Sequence, residues 1–200
     1  METMIKNSNI ETALGKSYSY EEYRKLIADL RVEGKATGDN HSDDYLYYTD
    51  LNVARMDKWD KRYSIDDEQL AKVANLSTKQ TWLLISEGWC GDAAHVLPVL
   101  AKVAAASNGM IDLRIVLRDE NLGLMDDYLT NGGRSIPKLV KLDSKLEEID
   151  TWGPRPSDAQ QIMIDGKAAG KEKTEIIIDL QKWYARDRGA QIAKEVIAAL

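Results

Sequence analysis

From Thr81 onward the chain alternates short apolar runs with helix-patterned stretches, and this alternation restricts its folds more than any other feature. Thr81-Trp82-Leu83-Leu84-Ile85-Ser86 is apolar, β-rich and of strand length. Residues 92–107 follow, rich in Ala, Leu and Val at helical spacing and closed by Asn108-Gly109. Ile111 to Leu117 predicts the next strand, and Asn121 to Leu129 a short helix ended by Asn131-Gly132-Gly133. Pro137 opens a strand over 138–142, Asp143-Ser144 makes a turn, and Leu146 to Trp152 returns. The loop Gly153-Pro154-Arg155-Pro156 leads into a helix at 157–166. The order β-α-β-α-β-β-α gives crossovers long enough to hold helices, hence parallel strands, then a hairpin.

The flanks read differently. Ser19 to Arg31 and Tyr45 to Lys61 carry apolar residues at helical spacing, and a third helix is expected to start at Ser64 as N-cap. Glu172 to Leu200 is amphipathic with a break at Gly189. The expected organisation is a helical extension over 1–63, an α/β core over 64–167 and a C-terminal helical segment over 168–200.

Hydrophobic residues make up 44% of the 200 positions, enough for a sizeable core. Phe is absent, so the aromatic core depends on five Trp and nine Tyr, whose polar tips need partners. The net charge of −6, with no block of like charges, argues against nucleic acid as a partner and against a polybasic membrane anchor. Met1 to Gly15 holds no apolar core of signal-peptide length, and no apolar run approaches the length of a membrane span. The single cysteine cannot form an internal disulfide or a multi-thiolate zinc site, so a reducing, cytoplasmic location is expected.

That cysteine, Cys90, lies in Trp89-Cys90-Gly91-Asp92-Ala93, where the first strand turns into a helix. Unpaired amides and the positive end of the helix dipole stabilise a thiolate there. The expectation is a solvent-accessible thiol with its pKa lowered into the range of about 3.5–7.5 seen at helix N-termini. Asp92 at the same helix start reads as a residue that satisfies free amides, or as a proton acceptor for the thiol. His95, about 140° around the helix from Cys90, is expected to pack or face solvent rather than pair with it. His41 carries no assignment.

Four landmarks in order resemble the thioredoxin fold. Trp89-Cys90-Gly91-Asp92-Ala93 is similar to the family's Trp-Cys-Gly-Pro-Cys turn. Pro98 falls where the family kinks its first active-site helix, and Ser135-Ile136-Pro137 is similar to the Ile-Pro step that is a cis-proline facing the cysteine. Gly153 corresponds to the glycine of the loop completing the active-site surface. The resemblance spans about residues 64–167. More narrowly, the helical front, Leu51 to Met56 and Trp152 to Pro156 resemble a bacterial group of thioredoxin-like proteins with an N-terminal helical extension.

Two departures stand out. Ala93 occupies the position of the resolving cysteine, and Leu84 replaces the buried aspartate that serves it. The resemblance therefore implies a thioredoxin-like fold, a mixed sheet flanked by helices, without standard dithiol chemistry. Cys90 is the implied catalytic residue. Trp89, Gly91, Asp92, Ile136, Pro137, Gly153 and Arg155 are the implied substrate-binding set, with Ile136 free to pair with an extended substrate. Arg155 either stabilises a thiolate or binds a carboxylate of a small thiol, or it is a solvated loop residue.

Two functions compete. In the first, Cys90 exchanges with a protein disulfide through a mixed disulfide resolved by a low-molecular-weight or protein thiol, or is oxidised as a sensor. In the second, the chain is a redox-silent binding module that keeps the thioredoxin surface. Iron–sulfur or glutathione chemistry of the monothiol glutaredoxin kind is a weaker third, since Trp89-Cys90 and the helical extension do not resemble that group. The expected cofactor and metal content is none.

Overall fold

The computed structural model describes the backbone of residues 2–198 and 200, and side chains from residue 6 onward except at 199. Four strands, β1 (Gln80–Ser86), β2 (Ile111–Leu117), β3 (Lys138–Leu142) and β4 (Glu148–Trp152), form one sheet in the order β2-β1-β3-β4. β1 and β2 are parallel, with Leu84 opposite Ile115. β1–β3 and β3–β4 are antiparallel, with Leu84 opposite Leu139 and Leu139 opposite Trp152. The central strand β1 is buried from Trp82 to Ser86 because it is flanked on both edges and covered on both faces. This is why its sequence is a continuous apolar run rather than an alternating one.

Helices α1 (Glu2–Leu14), α2 (Tyr20–Val32), α3 (Asp43–Arg62) and α4 (Asp67–Ala74) precede the sheet. Within it come α5 (Ala93–Ala106) and α6 (Leu122–Asp126), and after it α7 (Ser157–Ala168), α8 (Lys173–Asp187) and α9 (Ala190–Ile197). The result is a mixed α/β thioredoxin-like fold with helical additions at both ends. Those additions share one core with the sheet: Ile10, Tyr23, Ile27 and Met56 cluster with Leu84, Val96 and Leu139, and with Tyr184 and Val196 from the C-terminal helices.

Several local expectations are corrected. Residues 2–14 are helical although no element is expected there from the sequence pattern. Asp66, not Ser64, caps α4, its carboxylate accepting from the Gln69 amide at 2.8 Å. α6 ends at Asp126, short of Leu129, and β4 starts at Glu148 because Leu146 adopts a left-handed turn conformation. The break at Gly189 is present: Arg188 and Gly189 are both left-handed and separate α8 from α9. No described helix is long and apolar enough to cross a membrane.

Candidate functional site

The end of β1 delivers Glu87 to Asp92 into a tight turn before α5. The Cys90 amide donates to the Glu87 carbonyl at 3.1 Å, and the Cys90 carbonyl accepts from the Ala94 amide at 3.2 Å. The fold then gathers the landmarks around this turn. The Ile136–Pro137 peptide is cis, and the Cys90 Sγ donates to the Ile136 carbonyl at 3.3 Å. Gly153 has φ +112°, and a Cβ there would lie 2.4 Å from the Pro137 carbonyl oxygen, so only glycine fits this approach. Arg155, on the same loop, reaches Asp92 with Nη2 to Oδ2 at 2.7 Å.

The electrostatics correct the expectation for the thiol. Cys90 is only 7% exposed, and its pKa is pushed up to about 12 by burial, with the Asp92 carboxylate adding to the rise. The amides of Asp92 and Ala93 and the Arg155 charge act in the expected direction and favour the thiolate. They are outweighed, because desolvation of a charge costs more than a few amide dipoles return.

Asp92 is also corrected. It sits in helical conformation at the start of α5 and makes no side-chain cap bond. Its carboxylate is drawn instead to Arg155 and to the Tyr184 hydroxyl, which donates to Oδ1 at 2.9 Å. Burial raises its pKa, while Arg155 and Tyr184 oppose the rise. Arg155 is therefore neither a solvated loop residue nor a free anion receptor; its guanidinium is committed to Asp92, with Nη1 donating to Gln160 at 3.2 Å.

The helical extension covers this turn. Asn52, fully buried in α3, donates to the Gly88 carbonyl at 3.0 Å and accepts from Arg55 at 2.9 Å. Thr37 accepts from the Gly88 amide at 2.8 Å. Arg55 lies over Gly91, and Trp89 is held between the Tyr45 ring at 4.9 Å and the Arg118 guanidinium at 4.8 Å. Ile136 is buried and its carbonyl is engaged by the thiol, so that acceptor is not free for an incoming strand.

Sequence reasoning names Cys90, Trp89, Gly91, Asp92, Ile136, Pro137, Gly153 and Arg155, and the structure brings all eight together. It misses Asn52, Arg55, Glu87 and Tyr184. Asn52 and Arg55 lie in the Leu51–Met56 stretch that carries part of the narrower resemblance; Tyr184 lies 92 residues from Asp92 and leaves no local signal.

His95 packs, as expected for a residue turned away from the thiol. Trp59 Nε1 donates to its Nδ1 at 2.8 Å, its Nε2 meets Gln181 Oε1 at 2.9 Å, and its ring stacks on Tyr184 at 4.2 Å. Burial lowers its pKa to about 4 and keeps it neutral.

A thioredoxin family model matches residues 38–172, and the chain belongs to this family. Two crystal structures share its fold across nearly the whole length. One is the Pseudomonas aeruginosa protein of unknown function PA1234, 15% identical over 91% of this chain and 96% of that one, with a TM-score of 0.55. The other is an HIV 4E10 epitope-scaffold, 14% identical over 91% and 97% of the two chains, with a TM-score of 0.53. No curated protein matches the sequence.

Proposed function

We propose that this chain is a binding protein built on the thioredoxin fold, in which Cys90 is a structural thiol and not a working nucleophile. The observation that carries this reading is the burial of Cys90 with its S–H engaged by the Ile136 carbonyl. A thiol with a pKa of about 12 is ionised to about one part in 10⁵ at neutral pH, and the thiolate is the attacking species. The loss of the resolving thiol at Ala93 and of an acid at Leu84 supports the same reading. A single buried thiol that needs no disulfide partner also suits a reducing, cytoplasmic location.

Monothiol exchange is the second reading, favoured by the placement of Sγ beside Pro137 with the amides of Asp92 and Ala93 turned toward it. In that reaction the Cys90 thiolate attacks one sulfur of a disulfide and the S–S bond breaks. The departing sulfur leaves as a thiolate and takes up the proton Cys90 lost. With Ala93 unable to resolve the mixed disulfide, a low-molecular-weight or protein thiol must do so.

The rate of iodoacetamide alkylation of the native chain against pH separates the two. The binding-protein reading expects slow alkylation that rises without a plateau to about pH 10, and a Cys90→Ser variant that folds but is less stable than the parent, since a hydroxyl replaces a buried thiol. A plateau below about pH 8.5, the ordinary thiol value, with mixed disulfides captured by mass spectrometry, would establish exchange instead.

A further inference from the structure

Between α3, α5 and α8, beside the Cys90 turn, lies a cleft of about 510 Å³. Four of its lining side chains are cationic: Arg55, Lys58 and Arg62 from α3, and Arg188 from the end of α8. Among the described residues none of the four forms an ion pair. Nearby carboxylates are engaged elsewhere: Asp92 with Arg155 and Tyr184, Asp187 with the Gln191 amide, and Asp66 with the Gln69 amide. Arg55 is half-buried, and burial lowers its pKa, which means that its charge is held there at a cost.

The remaining wall is aromatic, with Trp59 standing edge-on to His95. Trp59 and Tyr63 pack together at 6.2 Å, and the His95–Tyr184 stack lies at an interplanar angle of 10°. Because Trp59 donates to His95 Nδ1, the neutral imidazole carries its proton on Nε2 and donates it to Gln181 Oε1. The Gln181 amide nitrogen is left as a further donor on the wall. The cleft thus offers cations, the Gln181 amide and the partly exposed Trp59 ring, the complement of a small aromatic anion. Its volume lies in the range of small-molecule sites.

We propose that this cleft binds a small aromatic phosphate ester, its ring against Trp59 and its phosphate on the α3 and Arg188 cations. The proposal deepens the binding-protein reading by naming its ligand class.

Isothermal titration of the full chain with flavin mononucleotide and adenosine diphosphate, each against its uncharged counterpart riboflavin or adenosine, tests it. At least one phosphate ester should bind with a Kd below about 1 mM and at least about tenfold more tightly than its counterpart. Lys58→Glu and Arg188→Glu, both at the surface end of the cleft, should each weaken that binding about tenfold or more while circular dichroism is unchanged. No binding below about 1 mM by either ester, equal affinity for the uncharged compound, or unchanged affinity in both variants would overturn the proposal. Cys90→Ser should leave the affinity unchanged. Fast alkylation of Cys90 with intact ester binding would defeat only the preceding reading, and slow alkylation without ester binding only this one.

Discussion

Glu87 and His95 are buried titratable side chains on either side of the Cys90 turn, and their displaced pKa values pull stability in opposite directions over the same pH range. Burial raises Glu87 to about 7, with Thr37 and the Asp119 amide opposing the rise and the Asp119 charge adding to it. As pH climbs from about 4.5 to 7 the unfolded chain releases this proton while the folded chain keeps it. Stability therefore falls across that window by about 3 kcal/mol, since each pH unit between the two midpoints is worth about 1.4 kcal/mol. His95, lowered to about 4 by burial, acts the other way. Above about 6.5 it is neutral in both states; as pH falls toward 4 the unfolded chain takes up a proton, and stability is lost by a similar amount. The two contributions nearly cancel, so each is exposed only when the other is removed. Urea unfolding of Glu87→Gln should show the variant gaining about 3 kcal/mol on the parent between pH 4.5 and 7.5. His95→Gln should gain about as much on the parent as pH falls from 6.5 to 4. A constant difference across pH in either series would show that the group titrates normally.

At the scale of elements, the site depends on two joints. The first is Gly153, where the end of β4 passes against the Pro137 carbonyl. Gly153→Ala places a methyl 2.4 Å from that oxygen at a φ that side chains avoid, with backbone on both sides of the clash. A loss of about 3 kcal/mol in unfolding free energy is expected, with the Arg155–Asp92 pair displaced. The second is α3 against the β1–α5 turn, where Asn52 holds the Gly88 carbonyl. Asn52→Leu removes that donor and should raise the alkylation rate of Cys90 about tenfold or more by opening the cover, about 1.4 kcal/mol of protection. An unchanged rate would mean that α3 does not control access. These joints also divide what is legible in the sequence from what is not. The run from Trp82 to Ser86 and the hairpin at Asp143 are readable because burial and turn chemistry act on neighbouring residues. The convergence of Cys90, Pro137 and Gly153 is readable from a family pattern. α1 is not, since Ile10 and Ala13 are its buried residues in the described part and their periodicity is weak. The helix is held by packing on α6 and β2 rather than by its own pattern. The burial of Cys90 is not legible either, because the residues that close over its turn, Asn52 at Gly88, Arg55 at Gly91 and Tyr184 at Asp92, lie far away in the chain.

Across the whole molecule, the last helix ties the sheet to the site loop. Lys141 is fully buried on β3, and its ammonium donates to Asp150 at 3.0 Å and to the Val196 carbonyl at 2.8 Å near the end of α9. A cation at that position also complements the negative end of the helix dipole. One residue earlier, Glu195 accepts from Trp152 at 2.8 Å and from the Ser157 hydroxyl at 2.7 Å. α9 therefore grips β3, β4 and the segment around Arg155, and loosening it should be felt at the site. Lys141→Ala removes the ammonium and the stem that packs by Trp82, leaving the Val196 carbonyl without its buried donor. A loss of about 3–5 kcal/mol is expected. Lys141→Met keeps the apolar stem and should recover about half of it, since Asp150 is partly exposed and can be solvated. In both variants the amides of 190–197 should exchange hydrogen sooner than those of β1, and the amides of Gly153, Arg155 and Ser157 should follow α9 rather than the sheet. Exchange of the Gly153, Arg155 and Ser157 amides at the parent rate while α9 opens would show that the site loop is held by the Asp92–Arg155 pair alone.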